Sequence, residues 1–424
     1  MVMKIGVIAD DFTGATDIAS FLVLNGLKTV QLCGVTPDLP APDAEAVVIS
    51  HKSRSCPVAE AVAETQASLK WLLAHDCKQI YFKYCSTFDS SKQGNIGPVA
   101  DALMETLGEK FTIFSPALPV NGRTVYKGYL FVGDVLLEES GMRNHPITPM
   151  TDSSLVRLVE MQSKGKCGVV TEEVISQGAK AVQEKIKELQ AAGYSYAILD
   201  AICEKDLIVQ GEALKDMRLV TGGSGLAIGL ARAVCEADSD ATKAQQLGYP
   251  QGKKAVVFSG SCSVMTNKQV EFYKQQAATK LVDVDKLMAC TDLKAFVAEY
   301  AAFCEEHVND AAAPLVYATA NPEDLARIQK QYGVDKSSHA VEKFFAELAL
   351  QLKDKGYQRF IIAGGETSSI VTKALNVAGF YIGPAIAPGV PWVRSVNNDI
   401  SLTLKSGNFG KEDFFLKAQR DFPV

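Results

Sequence analysis

Three clusters in the first half of this 424-residue chain combine residue types that can do chemistry. The first is Asp10-Asp11-Phe12-Thr13-Gly14-Ala15-Thr16-Asp17. Adjacent carboxylates can bind hydroxyls, hold a metal or accept a proton, which makes Asp10 and Asp11 the catalytic candidates. Gly14 would let the backbone approach a ligand beside Thr13. The plainer alternative has Asp10 capping a sheet end and Thr13 capping a helix. The second and third clusters are Ser50-His51-Lys52-Ser53-Arg54-Ser55 and Lys83-Tyr84-Cys85-Ser86-Thr87. Arg54 offers a bidentate fork and Lys83 a point charge. Taken singly each reads as a solvated loop cation; taken together, two cations and two anions suit a polyhydroxy acid. Arg123, in the turn Pro119-Val120-Asn121-Gly122-Arg123-Thr124, could face the same crevice, and the rigid segment 145–150 has a substrate lid as one reading.

A second chemistry lies further along the chain. The pattern G-x-x-x-x-G-K-[ST] is absent. Three glycine-rich joints occur instead: Thr221-Gly222-Gly223-Ser224-Gly225, Ser259-Gly260-Ser261-Cys262-Ser263 and Ala363-Gly364-Gly365-Glu366-Thr367-Ser368-Ser369. The third is the best phosphate candidate. Gly364 and Gly365 free N–H groups to converge, Thr367 and Ser368 add hydroxyls, and Glu366 makes sense beside a magnesium-bound phosphate. A tight turn with a Ser/Thr cap would look similar. Gly407, in Ser406-Gly407-Asn408-Phe409-Gly410, could allow a nucleotide close, or mark an ordinary turn.

These clusters need strand ends to carry them. Ile5–Ala9 is a buried run, and Ala15–Leu27 has helical spacing. Further strands are expected at Ala46–Ser50, Gln79–Tyr84, Phe111–Ser115, Gly168–Val170, Tyr196–Leu199 and Leu219–Val220, with helices such as Val58–Ala74 and Gly178–Ala192 between them. The polar stretch Ala237–Lys254 reads as a helix-poor interdomain linker. A second series then begins, with strands Ala255–Phe258, Leu281–Asp283, Leu315–Ala318 and Phe360–Ala363. Pro384–Pro391 reads as a loop and Ile400–Lys405 as a one-sided or edge strand. The expected architecture is α/β: two domains, 1–236 and 255–424, each a mostly parallel sheet flanked by helices, with a cleft between them that closes about the linker.

Composition narrows the function. A net charge of −6 argues against a nucleic-acid binder, which needs a basic track. Ten dispersed cysteines without a C-x-x-C pair suit a reduced compartment. The amino terminus reaches charge too soon for a signal peptide, and no run approaches a membrane span. A cytoplasmic, non-membrane protein is expected, and a homodimer on base rates.

Ile8-Ala9-Asp10-Asp11-Phe12-Thr13-Gly14-Ala15-Thr16-Asp17 resembles the opening motif of the four-carbon acid sugar kinases, and Gly364-Gly365-Glu366-Thr367-Ser368 resembles their nucleotide-binding motif. The resemblance runs from Lys4 to about Phe415. It implies an N-terminal sugar-acid domain, a C-terminal ATP domain, and phosphorylation of a tetronate or 3-oxo-tetronate at the terminal hydroxyl with ATP and Mg²⁺. Glu366 and the Gly407–Gly410 ending resemble the 3-oxo-tetronate branch; a threonate or erythronate kinase is the alternative. By the same resemblance Ser259, Gly364, Gly365, Glu366, Thr367 and Gly407 contact ATP, while Asp10, Asp11, Thr13, Gly14, Arg54, Lys83 and Arg123 are the inferred sugar-acid side. Two rivals stand further off. A nicotinamide dehydrogenase would use Gly223-x-Gly225, but its third glycine comes one place late, at Gly229. A non-catalytic sugar-acid-binding protein would share the fold.

Overall fold

The computed structural model describes residues 2–35, 39–144, 148–235, 241–405 and 407–423. The chain forms two compact units, residues 1–244 and 245–424. In the first unit the strands are β1 (Ile5–Ala9), β2 (Thr29–Leu32), β3 (Ala46–Ser50), β4 (Gln79–Lys83), β5 (Thr112–Ser115), β6 (Arg123–Tyr126), β7 (Tyr129–Val132), β8 (Val135–Leu136), β9 (Cys167–Val170), β10 (Tyr196–Leu199) and β11 (Leu219–Gly222). Eight of them make a parallel sheet in the order β2-β3-β1-β4-β11-β5-β10-β9, and β6-β7-β8 form a separate antiparallel meander. Helices cover both faces of such a sheet, so its inner strands are apolar throughout. β1, Ile-Gly-Val-Ile-Ala, is buried at every position.

Register decides function here. Ala9 pairs with Ser50 and with Lys83, Lys83 with Gly222, and Gly222 with Ser115. Five parallel strands therefore end level, and the loops that follow them share one edge.

The second unit holds β12 (Ala255–Ser259), β13 (Thr279–Leu281), β14 (Leu315–Tyr317), β15 (Arg359–Ala363), β16 (Gly379–Ala387), β17 (Val390–Ser395) and β18 (Ser401–Lys405). Their order is β13-β14-β12-β15-β18-β17-β16, parallel as far as β18 and antiparallel from there. Ser259 pairs with Ala363, and Ala363 with Lys405, so these strands also end level.

Several boundaries differ from the sequence reading. The first helix is Phe12–Leu24, begun three residues early because Asp11 rather than Thr13 is its cap. A short helix, Ala241–Gln246, occupies part of the stretch read as helix-poor, while residues 236–240 lie outside the described set. Strand β13 ends at Leu281, so Val282 and Asp283 do not continue it. Pro384–Pro391 is not a loop. It lies within the β16–β17 hairpin, where the ladder shifts register at Ala385 and Ala387 and so tolerates Pro384. β18 is not an edge. It lies between β15 and β17, and Ser401, Thr403 and Lys405 are fully buried. Its alternation reflects polar side chains taken inside, such as Ser401, whose Oγ accepts the Gln251 N–H at 2.9 Å.

The second core gathers Tyr273, Leu315, Ile361, Trp392, Phe414 and Phe415. Trp392 is fully buried and its indole N–H donates to the Ala418 carbonyl at 3.0 Å. Trp392→Ala should lower stability by about 3–5 kcal/mol, read as a fall in the urea midpoint of the second unit's unfolding.

Candidate functional site

At the carboxyl edge of the first sheet, Asp10 and Asp11 leave β1, Arg54 follows β3 and Lys83 ends β4. Arg54 Nε donates to Asp10 Oδ2 at 2.9 Å and Nη2 to Asp10 Oδ1 at 3.0 Å, a bidentate fork; Nη2 also bonds Asp11 Oδ2. Lys83 Nζ lies 3.8 Å from Asp11 Oδ2. Asp11 Oδ1 accepts the Gly14 N–H at 2.7 Å, capping the helix Phe12–Leu24. The Arg54 loop is pinned twice. Its Ser53 and Arg54 N–H groups donate to the Asp10 carbonyl at 3.0 and 3.2 Å. The Asn95 amide donates to the carbonyls of Ser53, Arg54 and Cys56 at 2.7, 3.3 and 3.0 Å.

Burial separates the two carboxylates. The Asp10 side chain is 7% exposed and that of Asp11 25%, so Asp11 is the one a ligand can reach. Burial pushes the Asp10 carboxyl up, against the opposing pull of Arg54. Burial also acts on Asp11, but Lys83, Arg54 and the Gly14 N–H outweigh it and hold that carboxyl down at about 2. The same carboxylates raise the Arg54 guanidinium against its own desolvation. Gly14 is required by space: a Cβ there would collide with the Lys83 ammonium and the Asp11 carboxylate.

The structure therefore brings Asp10, Asp11, Gly14, Arg54 and Lys83 together. Thr13 lies half-buried on the first turn of the same helix. Arg123 opens β6 in the meander, and its Nη1 bonds the carbonyl of Asn121. No ion pair among the described residues joins Arg123 to the carboxylates. His145, Pro146 and Ile147 lie outside the described residues. Two polar residues of the quoted motifs, given no role from sequence, also belong to this edge. Ser224 donates to Asp17 Oδ2, and burial raises the Asp17 carboxyl against that bond and the pull of Lys83. The glycines of 222–225 have a packing cause: Cβ atoms on Gly222, Gly223 and Gly225 would strike the carbonyls of Ser115, Pro116 and Ala117.

The second unit's edge carries three loops. After β12, Ser259 is fully buried, its hydroxyl 2.6 Å from Thr319 Oγ1, so Gly260–Ser263 form the accessible part of the loop. After β15, Gly364 at φ +126° turns the chain into the helix Gly365–Ala374, whose first amide-to-carbonyl bond runs from Ser368 N to Gly364 O at 2.8 Å. The Gly365 and Thr367 amides lie ahead of that bond, at the end of a helix that favours an anion. Glu366 stands in this first turn and Thr367 is buried behind it. After β18 comes Gly407, whereas Ser406 lies outside the described residues. A cavity of about 190 Å³ opens from Gly260, Glu366 and Thr367 toward Ala318, Ile328 and Val341. Its apolar far wall suits a planar base and its near wall a phosphate. Among the described residues no group of three or more His, Cys, Asp or Glu could cage a metal. A single carboxylate on a phosphate loop still fits a cation that arrives with its nucleotide. No helix among the described residues is long and apolar enough to cross a membrane.

Residues 5–230 match the model of a sugar-binding N-terminal domain, and residues 256–415 that of a nucleotide-binding C-terminal domain. A Pectobacterium atrosepticum protein named 3-oxo-tetronate kinase is 58% identical over 421 residues, covering 99% of both chains. A Salmonella typhimurium protein of the same name is 54% identical over 422 residues, covering 100% of both. The crystal structure of a Haemophilus influenzae protein superposes with a TM-score of 0.88 at 52% identity, covering 99% of this chain and 100% of that one.

Two outcomes test this geometry. Gly14→Ala should displace the Lys83 ammonium and the Asp11 carboxylate, weaken ligand binding in the first unit about tenfold or more, read by calorimetry, and lower the thermal unfolding midpoint as well. The Asp11 carboxyl titrates at about 2 in the folded chain, below the roughly 3.9 of an unfolded one. Its ion pairs therefore stabilise fully above about pH 4 and fade as pH falls toward 2. Asp11→Asn should flatten that limb of the stability profile, followed by urea unfolding from pH 5 to 2.

Proposed function

The chain belongs to the family that joins this sugar-binding domain to this nucleotide-binding domain, and on that premise we propose that it is a 3-oxo-tetronate kinase. It transfers the γ-phosphoryl group of ATP to the O4 hydroxyl of a four-carbon 3-oxo sugar acid. The observation that carries this reading is the end-to-end similarity, at 58% identity, to a protein of that name. The two polar edges supply the chemistry it needs.

Phosphoryl transfer is mostly positioning and charge neutralisation. Arg54 spends Nε and Nη2 on Asp10 and Asp11. Its Nη1, which makes no hydrogen bond among the described residues, and the Lys83 ammonium take the substrate carboxylate. Asp10 positions Arg54. Asp11, ionised at neutral pH and the more exposed of the pair, accepts the proton of a substrate hydroxyl and orients it. Thr13 and Gly14 border that contact, and Arg123 is assigned to the rim of the same side.

On the second unit, the helix start at Gly365–Thr367, reached through the Gly364 turn, and the Gly407 turn hold the phosphates, Ser259 anchors the loop beneath them, and the 190 Å³ cavity takes the base. Glu366 is the carboxylate placed to meet a nucleotide-borne Mg²⁺. When bound, that ion neutralises phosphate charge. The acidic chain and its short cationic cluster offer no track for a polyanion, which keeps nucleic acid outside this reading.

ADP release with Mg-ATP across D- and L-threonate, D- and L-erythronate and their 3-oxo forms, generated in place by a dehydrogenase, tests the proposal. Turnover with a 3-oxo acid alone is expected. Turnover with a plain tetronate moves the substrate within the family, and none with any acid overturns the reading. Asp11→Asn should lower kcat about 100-fold or more. Arg54→Met should act mainly by raising KM for the acid, with a smaller effect on kcat.

A further inference from the structure

Lys405 ends β18 and is fully buried. Its backbone carbonyl accepts the Gly364 N–H at 2.8 Å. Its ammonium donates to the Gly407 carbonyl at 2.7 Å and approaches Thr266 Oγ1 at 3.2 Å. Thr266 Oγ1 donates to that same carbonyl at 2.7 Å. Ser263 Oγ lies 3.1 Å from Thr266 Oγ1 and caps the helix Val264–Lys274 by accepting the Thr266 N–H. Gly407 in turn packs against the β12 loop: a Cβ there would lie 2.6 Å from Ser261 Oγ and 2.8 Å from Ser263 Oγ. One side chain thus touches the loop after β18 and the helix after β12, while its own main chain bonds the loop after β15.

The charge is unfavourable where it stands. Helix Val264–Lys274 turns its positive amino end toward the same place, and burial pulls the ammonium down to about 7. A methionine would fill the space over the Phe414 ring, whose centre lies 5.9 Å from Nζ, without that cost. A lysine there makes sense if the turn it holds and the field it adds serve an anion.

We propose that Lys405 is a positioning residue for the nucleotide: it pins the Gly407 turn onto Ser261–Ser263, beside Gly364, and so presets the three loops that receive the ATP phosphates. This rests on the kinase reading above and extends it to a residue outside the glycine motifs. The test measures Kd for ATP by calorimetry, and KM for ATP and for the sugar acid, on full-length Lys405→Met, Lys405→Arg and Thr266→Val. Lys405→Met should weaken ATP about tenfold or more, with KM for the sugar acid unchanged within about twofold, and Lys405→Arg should recover part of the loss. Wild-type ATP affinity in Lys405→Met overturns the proposal. So does an equal rise in both KM values, which would mark a general loss of structure. If Lys405→Met does not fold, Thr266→Val, which removes one of the two donors to the Gly407 carbonyl, decides on the same terms. An unmodified chain that binds no ATP would sink the kinase reading itself, and this proposal with it.

Discussion

Arg54 reaches two carboxylates with one guanidinium, and the first unit's edge is organised around that reach. A buried arginine needs acceptors, and buried carboxylates need donors. Asp10 supplies the two-bonded partner, Asp11 the third contact, and Lys83 the second cation that balances the pair. Asp10 and Lys83, 7% and 3% exposed, would be costly there without such partners. Asn95 then clamps the carbonyls of the arginine's loop, and level strand ends set the distances the cluster spans. The polar edge is built as a unit, and its ligand chemistry is what remains after the four charges have satisfied one another.

That remainder sharpens the roles. A sequence reading treats Arg54 as a cation waiting for a substrate. In the fold most of its donors are committed, and the accessible features are one arginine edge and one oxygen-rich side of Asp11, with the Lys83 ammonium buried behind them. Such a site is polar, compact and almost neutral in sum. That balance matches the proposed ligand, with one carboxylate and several hydroxyls, better than one with multiple anionic groups. The second unit works differently. It presents a helix start at Gly365 and a buried ammonium, with Glu342 and Glu366 the carboxylates on its cavity.

Much of this was legible beforehand, for identifiable reasons. β1, β3, β4, β12 and β15 are short apolar runs each followed by polar or glycine residues, and a buried parallel strand leaves that trace. Asp10, Asp11, Arg54 and Lys83 follow from them, because a strand end fixes where the next residue stands. What stayed hidden depends on neighbours distant in sequence. Ser401–Lys405 alternates as an edge strand would, and only the pairing of β15 on one side and β17 on the other makes it interior. Pro384 and Pro391 announce a loop, yet shifted register lets them sit in a hairpin. Asn95, Ser224 and Thr266 carry no local signal, since each acts on a partner more than forty positions away in the chain. Thr13 looked like the helix cap because threonine is a good one; Asp11 took the position, already held in place by its cations.

Asp11 therefore holds two offices. Through Oδ1 it starts the helix Phe12–Leu24, and through Oδ2 it meets Arg54 and faces Lys83. On the proposed reading, helix capping and acid binding share the two oxygens of one side chain. A lineage that wished to accept a different acid could not retune this carboxylate without also loosening the helix that packs on the sheet. Change would have to come from the periphery, from the loops beyond Arg54 and Lys83, while the Asp11 corner stayed fixed. The same coupling limits protein engineering: each substitution at position 11 would carry the cost of a lost helix cap along with any change in binding.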